Sequence, residues 1–437
     1  MKPEKIFKRY DVRGRYPEEL DEEFAERIGR AVGQLLVEDD RFNTRATVGK
    51  DNKQSSEPLR KKLVEGLKKS GINVLYAGTG PTDFTAFNGM ENNCVSIQVT
   101  SSHMPLNFNG FKFMYPEGNG FVNKDLNRIE ENFRKQDFTR GKGTTRKLTE
   151  SRENYLQEIK DYVDRFQEVE ERKIVVDTLG GASTDFLPKI LEQLGFKTVN
   201  IAEEKEEDGP YYNPPNPKPE ILEDTALRVE KENAEIGIAT DMDADRVAVY
   251  YNGKWLSGDE LFLIFTQMID GEVVASIDSS KTLEEYSEKV HYTRVGDPFV
   301  IDKTLEEKAS LSGEPNGHYC FPDFVPYNSG TLAALLITVT DIDPLLDNIP
   351  EIHTEKTSLE VKNKEEVMKK TKKEIKNRYK TVSDKDGVKY NTENSSVLIR
   401  PSGSSPVIRI KAEAENRDKA DKTVEKAKKI IKKHTKH

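Results

Sequence analysis

Apolar residues recur along the first part of the chain at two periods in turn, and that alternation predicts helices and strands following one another. Phe24, Ile28, Val32 and Leu35 fall at helical spacing, Ala46-Thr47-Val48-Gly49 reads as a short strand, and Leu59, Leu63 and Leu67 line a second helix ended by Gly71. Ile72 to Leu75 resumes as a strand. A further strand at Cys94 to Val99 runs straight into the polar loop Thr100-Ser101-Ser102-His103-Met104-Pro105. Open α/β sheets place their chemistry at the carboxyl ends of strands, so this junction is a candidate site.

The pattern then repeats. The charged stretch Arg140 to Glu153 predicts a helical connection, followed by a strand at Lys173 to Val176 and a turn at Gly180-Gly181. Phe186, Ile190 and Leu194 mark a helix, and Lys197 to Ile201 a strand. Glu203 to Pro219 is polar and proline-rich, hence loop. Ile236 to Ala239 is a buried strand that delivers Thr240 and Asp241 into a second special loop. A third unit begins near Gly253, with Leu261 to Met268 helical and Val273 to Ile277 a strand. The C-terminal stretch is expected to open on a Lys/Glu-rich helix and to carry strands at Ser396 to Ile399 and Val407 to Ala412. Ala420, Val424, Ala427 and Ile431 form the apolar stripe of a closing helix whose lysines are its solvated face.

Length and charge narrow the class. At about 150 residues per domain, the 437 residues predict roughly three domains. Apolar residues are 35% and charged residues 33%, enough for several separate cores. With 68 Lys/Arg against 77 Asp/Glu the net charge is −9, which argues against sequence-independent nucleic-acid binding and requires local cation clusters for any anionic ligand. The N-terminus lacks an apolar signal region and no run approaches the ~18 apolar residues of a membrane span, so a cytoplasmic protein without a membrane partner is expected. Cys94 and Cys320 lack metal-ligand spacing and read as buried small residues.

Four segments carry chemistry. In Asp241-Met242-Asp243-Ala244-Asp245-Arg246 the carboxylates stand at i, i+2 and i+4, so an extended segment points them the same way. Each pair at ~4 Å repels by roughly 1 kcal/mol in water and ~4 kcal/mol at an effective dielectric of 20, and a hard divalent cation removes that repulsion. Oxygen-only donors suit Mg²⁺ or Ca²⁺ rather than zinc. An EF-hand is excluded, because Arg246 and Asn252 occupy the positions that need Gly and Glu. The alternative, an acidic surface loop, is weakened by the apolar strand that precedes it.

Thr100 to Pro105 offers three hydroxyls and a histidine. A serine-hydrolase elbow needs GxSxG, and the residues two positions from Ser102 are Thr100 and Met104; a polar turn held by its own side chains is the alternative reading. Asn109-Gly110-Phe111-Lys112 adds a turn and a cation close by. Arg400-Pro401-Ser402-Gly403-Ser404-Ser405-Pro406-Val407-Ile408-Arg409 has the composition of a phosphate cradle, with a hairpin turn as the alternative. In Gly313-Glu314-Pro315-Asn316-Gly317-His318, Glu314 and Asn316 are residue types that bond sugar hydroxyls. Asp11, Arg13 and Gly14 are uninformative alone.

In order, these loops resemble the four signature loops of the α-D-phosphohexomutase superfamily, the phosphomannomutase/phosphoglucomutase group, and the resemblance covers essentially the whole chain. Thr100 to Pro105 with Asn109 to Lys112 is similar to that family's phosphoserine loop (TASHNP, then NGxK), Asp241 to Arg246 to its DGDADR metal loop, Gly313 to His318 to its GExSGH sugar loop, and Arg400 to Arg409 to its RPSGTEPxIR phosphate loop. Weaker agreement lies at Asp11 to Gly14, Gly49 to Ser56, Gly80 to Thr82 and Thr293 to Val300. The departures are Met104 for Asn, Met242 for Gly, Pro315-Asn316 within the sugar loop, and Ser404-Ser405 for Thr-Glu. Met242 is awkward if its position needs positive φ.

The resemblance implies three related α/β domains with mixed sheets plus a smaller C-terminal α+β lid domain around a central cleft, with divisions at 1–147, 148–252, 253–352 and 353–437. It implies a phosphohexomutase interconverting hexose 1-phosphate and hexose 6-phosphate through phosphorylated Ser102 and a 1,6-bisphosphate. Ser102, Asp241, Asp243 and Asp245 would bind one Mg²⁺ per site, and a hexose 1,6-bisphosphate would serve as activator. Lys112, Arg13 and Arg246 would neutralise the transferring group, with His103, Lys112 and His318 as acid/base candidates. Glu314 and Asn316 would read the sugar, and Arg400, Ser402, Gly403, Ser404 and Arg409 would hold the other phosphate. A phosphoglucosamine mutase of the same superfamily, suggested by Val295-Gly296-Asp297, and a non-catalytic phosphosugar-binding relative are the alternatives. The expected partner is the phosphorylated hexose, in a monomer or dimer.

Overall fold

The computed structural model describes residues 6–204, 209–402 and 405–435. It divides into two units, one running to Gly258 and taking in Asn316–Ile342, the other comprising Asp259–Pro315 and the chain from Asp343 onward. No helix among the described residues is long and apolar enough to cross a membrane.

The first unit holds two sheets. In the six-stranded one, the order is Val12–Arg15, Phe108–Met114, Val95–Val99, Arg45–Lys50, Asn73–Thr79 and Thr145–Lys147. Five of these strands point the same way, while Phe108–Met114 is antiparallel to its neighbours Val95–Val99 and Val12–Arg15, so the sheet is mixed. Phe24, Ile28, Val32 and Leu35 are all buried on helix Glu22–Glu38, and Leu59, Leu63 and Leu67 on helix Ser56–Lys69, as their spacing requires. The second sheet orders Lys254–Trp255, Val247–Tyr251, Ile236–Thr240, Lys173–Asp177 and Lys197–Asn200. Strand Ile236–Thr240 is buried along its whole length at the sheet's interior, which explains its unbroken apolar run. A hairpin, His318–Phe321 with Val325–Asn328, and the fully buried helix Gly330–Val339 belong to the same unit.

In the second unit, Glu272–Ser276 pairs in parallel with Lys289–Thr293 and Leu311–Glu314. A separate antiparallel sheet orders His353–Glu360, Val407–Ala414, Ser395–Pro401, Val388–Asn391 and Lys380–Ser383. One face of it packs on Val424, Ala427 and Ile431 of helix Arg417–His434 and on helix Lys364–Arg378.

Two expectations are corrected. Arg140 to Glu153 is not a helical connection: Thr145–Lys147 is an edge strand beside Asn73–Thr79, and the helix begins only at Ser151. The strand's three residues are all exposed, so no apolar position announced it. The C-terminal stretch opens on strand His353–Glu360 and not on the helix, which follows at Lys364. That strand lies at the sheet edge and is never fully buried, so its sequence is almost wholly polar.

Asp83 joins three elements of the first unit. Its Oδ1 accepts from Phe84 N at 3.0 Å and its Oδ2 from Tyr155 OH at 2.8 Å, while Ser329 also bonds it. Burial pushes its carboxyl up to about 6, more than the Ser329 and Tyr155 hydrogen bonds pull it down. The folded chain therefore keeps a proton that the unfolded chain releases near pH 4. The associated stability is complete below that pH and is lost as pH rises through about 6, an effect of roughly 3 kcal/mol at 1.36 kcal/mol per unit. Urea unfolding at pH 4 and pH 7 should show Asp83→Asn gaining roughly 2–3 kcal/mol relative to the unsubstituted protein across that interval; parallel pH profiles would refute it.

Candidate active site

Three buried strand ends converge in the first unit. Val95–Val99 delivers Thr100, Ser101 and Ser102; Phe108–Met114 carries Lys112 opposite Gln98; and Ile236–Thr240 delivers Asp241. Ser102 has φ +50°, a left-handed conformation that costs a non-glycine residue about 1 kcal/mol, and its N–H donates to Thr100 Oγ1 at 2.9 Å. Its Oγ donates to Asp241 Oδ2 at 2.9 Å and lies 3.1 Å from His103 Nδ1. The Arg13 guanidinium donates to Ser101 O at 3.4 Å while pairing with Asp11.

Asp241, Asp243 and Asp245 are all buried, with one oxygen from each within 4.8 Å of the others. Lys112 Nζ donates to Asp243 Oδ2 at 2.6 Å and to Asp245 Oδ2 at 2.5 Å. His318 Nε2 lies 3.0 Å from Arg246 Nε and 3.2 Å from Asp245 Oδ1, and Arg246 N donates to Asp241 Oδ1 at 3.2 Å. Thr82 Oγ1 donates to Asp243 Oδ2 at 2.7 Å.

The turn itself resolves the question of Met242. The left-handed residue is Ala244, at φ +53°, and Met242 is absent from the positive-φ residues and completely buried. A glycine is therefore not needed at Met242. It is needed around the turn: a Cβ on Gly181 would lie 2.8 Å from both Asp241 O and Met242 O, and one on Gly330 would lie 2.4 Å from Arg246 O. Gly330 N donates to Ala244 O at 2.9 Å and Ala182 N to Met242 O at 2.8 Å, which fixes the loop from both sides.

Charge follows position. Burial and then the neighbouring Asp245 and Asp243 push the Asp241 carboxyl well up, whereas Lys112 and His318 overcome burial and hold Asp245 well below the usual range. Burial alone would lower the Lys112 ammonium, but Asp243 and Asp245 outweigh it and raise it far above its ordinary value. Burial, then Arg246 and Arg13, push the His103 imidazole down to about 2, so it is neutral. Asp243 Oδ1 is buried and, among the described residues, without a hydrogen-bond partner. An orphaned buried carboxylate oxygen beside two further carboxylates is the donor set of a hard cation, and the three aspartates fit one.

The remaining predicted residues divide between the units. Asn316, whose Oδ1 accepts from His318 N at 3.3 Å, belongs to the first unit, whereas Glu314 belongs to the second, buried, with Oε1 accepting from Gly296 N at 2.9 Å. In the second unit Arg400 and Arg409 stand opposite each other on adjacent strands with Ser358 next in register, beside a cavity of about 420 Å³ also lined by Lys356, Lys411 and Asp278. Ser402 N donates to Val407 O and Ser405 Oγ donates to Ser402 Oγ at 2.8 Å, while Lys364 Nζ donates to Ser402 O at 2.7 Å. Gly403 and Ser404 lie outside the described residues. Thr82, Gly181, Gly330 and Lys364 were not foreseen as parts of these loops; Gly80-Pro81-Thr82 carried a signal only as a weak motif match, and Gly180-Gly181 only as a turn.

Residues 4–140 match the phosphoglucomutase/phosphomannomutase alpha/beta/alpha domain I, 153–254 domain II, 257–340 domain III and 357–430 the C-terminal domain. The chain belongs to the phosphoglucomutase/phosphomannomutase family. It is 32% identical over 452 residues to a phosphoglucomutase/phosphomannomutase of Thermococcus kodakarensis, covering 98% of each chain. It is 30% identical over 441 residues to a probable phosphoglucosamine mutase of Methanosarcina acetivorans, covering 98% of this chain and 99% of the relative. A crystal structure of a phosphoglucomutase/phosphomannomutase family protein from Burkholderia thailandensis superposes with a TM-score of 0.88 at 24% identity, over 99% of this chain and 98% of that one, so the fold is shared.

Removing Lys112, which meets two of the aspartates, tests the cluster. Lys112→Met leaves Asp243 and Asp245 without their buried ammonium and should lower stability by about 3–5 kcal/mol in EDTA. Millimolar Mg²⁺ should restore most of it in thermal melts; a variant as stable as the unsubstituted protein, or one indifferent to Mg²⁺, would contradict a cation site.

Proposed function

We propose that this member of the family interconverts hexose 1-phosphate and hexose 6-phosphate, with mannose or glucose as the sugar, through a phosphorylated Ser102 and a hexose 1,6-bisphosphate that also serves as activator. The observation that carries the reading is the Ser102 hydroxyl, 2.9 Å from Asp241 Oδ2 at the edge of the buried aspartate cluster. In this reading the divisions between domains fall near residues 147, 252 and 352.

Ser102 Oγ carries the phosphoryl group, and Asp241, Asp243 and Asp245 with the phosphoserine hold one Mg²⁺. When bound, Mg²⁺ supplies charge neutralisation for phosphoryl transfer, a reaction governed by positioning and electrostatics. Lys112, locked as an ammonium between two carboxylates, acts as a fixed positive charge and not as a proton donor. Arg246 and Arg13 add further positive charge. Proton handling falls to His103, neutral and beside Ser102 Oγ, or to His318, which faces Asp245. Glu314 and Asn316 read sugar hydroxyls. Arg400, Ser402, Gly403, Ser404 and Arg409 grip the phosphate that does not react.

Glucosamine phosphate is the second substrate reading. It is supported by the relative named a probable phosphoglucosamine mutase and by Val295-Gly296-Asp297, whose Gly296 N donates to Glu314 Oε1.

Incubation with Mg²⁺, a trace of glucose 1,6-bisphosphate and each of mannose, glucose and glucosamine 1-phosphate decides the matter. Conversion of mannose or glucose 1-phosphate is expected. If none of the three is converted while hexose phosphates still raise the melting temperature, the protein is a phosphosugar binder and the mutase reading is lost. In intact mass spectra a fraction heavier by about 80 Da, roughly one phosphoryl group, should vanish in Ser102→Ala together with turnover.

A further inference from the structure

The loop bearing Ser102 is held in a shape that its own Thr100 and Ser101 side chains fix only in part. Ser102 is left-handed, and the Met104 side chain has no amide with which to orient the turn. Backbone of this kind persists only where the surroundings over-determine it.

The over-determination comes from the loop that follows strand Arg45–Lys50. Lys53 is 3% exposed, and its ammonium faces four acceptors of the serine loop: Ser101 Oγ at 2.5 Å, Met104 O at 3.2 Å, Phe108 O at 3.2 Å and Pro105 O at 3.3 Å. An ammonium has three N–H groups, so its whole donor capacity is spent on this one loop. Ser101 Oγ in turn donates to Phe108 O at 2.9 Å, closing the loop across its base.

Lys53 is itself fixed. Asp51, fully buried, accepts from Lys53 N at 3.0 Å and from Ser56 Oγ, and Asp51 N donates to Val99 O at 3.1 Å, the last residue of the strand that feeds Ser102. Asn109 Nδ2 donates to Ser55 Oγ at 2.7 Å and to Ser56 Oγ at 3.0 Å, tying the same base to the strand that carries Lys112. Two strand ends and one helix start are thus stitched together beneath the loop.

We propose that Lys53 is a positioning residue for phosphoryl transfer, a buried clamp that grips the carbonyls of residues 104, 105 and 108 and so sets Ser102 Oγ against Asp241. It does not touch Ser102; it acts through Ser101 and the loop backbone. The kinetic part of this inference rests on the mutase reading, whereas the structural part does not.

Three full-length variants test it: Lys53→Met, Lys53→Arg, and Asp51→Asn with Lys53→Met, the last removing the buried carboxylate that the single substitution leaves unpaired. Hydrogen–deuterium exchange is followed by peptide, alongside steady-state kinetics. Both Met variants should speed exchange over residues 99–110 about tenfold with the rest of the protein unchanged. They should lower kcat by about 100-fold, the scale of a misplacement near 1 Å, with KM for hexose 1-phosphate within about twofold. Lys53→Arg, which keeps a cationic donor, should recover most of both. Unchanged exchange over 99–110 in the Met variants overturns the clamp, and so does exchange that rises throughout the molecule without recovery in Lys53→Arg. If the unsubstituted protein converts no hexose phosphate, the mutase reading fails and the exchange result alone decides on the clamp.

Discussion

Two unit charges 4 Å apart repel by about 4 kcal/mol at an effective dielectric of 20, and Asp241, Asp243 and Asp245 are buried with their oxygens nearly that close. Much of the surrounding structure answers that constraint. Lys112 enters from strand Phe108–Met114 to meet Asp243 and Asp245, Arg246 lies against Asp241 and His318 against Asp245, and Thr82 donates a hydroxyl to Asp243. Lys112 is 131 residues from Asp243 along the chain, and Thr82 is 161. No local segment could make the cluster tolerable. The three aspartates can be buried in one turn only where Lys112 and Thr82 pack against them, which makes the site a product of tertiary assembly.

The same assembly seats the serine. Ser102 lies in a conformation that is unfavourable for its type, with its hydroxyl on Asp241, and the bonds that hold it there come from the loop base beneath it and from Arg13. A reaction that depends on a strong base would call for a titratable partner beside the hydroxyl. The neighbour here is His103, whose basicity burial and then the Arg246 and Arg13 charges weaken, so that it can relay a proton without driving the reaction, in a pocket whose distinguishing content is fixed charge. Phosphoryl transfer makes that demand, because little bond-making is left to the protein beyond placing charges.

The legible parts of the sequence were those in which one residue type fixes one environment. Helical stripes such as Leu59, Leu63 and Leu67 and the unbroken apolar run of Ile236 to Ala239 have a single low-energy placement, and both formed where the pattern put them. The spacing of the three aspartates was legible for the same reason. The misses follow from the opposite condition. Thr145–Lys147 and His353–Glu360 are edge strands, defined by backbone pairing and not by burial, so their side chains carry no signature. At Met242 the family pattern suggested a backbone problem that does not exist, because the left-handed step falls two residues later, at Ala244. Lys53 and Thr82 stand in segments that matched only weakly, and what they touch is visible only when loops from distant strands share one end of a sheet.

Net charge illustrates how far an average can mislead. The chain is −9 overall, yet residues 353–437 carry 24 Lys/Arg against 13 Asp/Glu, a net of +11, so the rest of the chain must be −20. The two halves of the proposed chemistry call for opposite signs. Where a phosphoryl group is to be transferred, carboxylates are wanted to hold a cation, and the first unit concentrates three of them in one buried turn. Where a phosphate is only to be held, cations must face it directly, and Arg400 and Arg409 stand opposite each other on adjacent strands of the second unit with Lys356 and Lys411 lining the same cavity. On the proposed chemistry an acidic protein handles an anionic substrate without contradiction, because three of its 77 acidic residues would hold a cation while the basic C-terminal residues would meet the ligand itself.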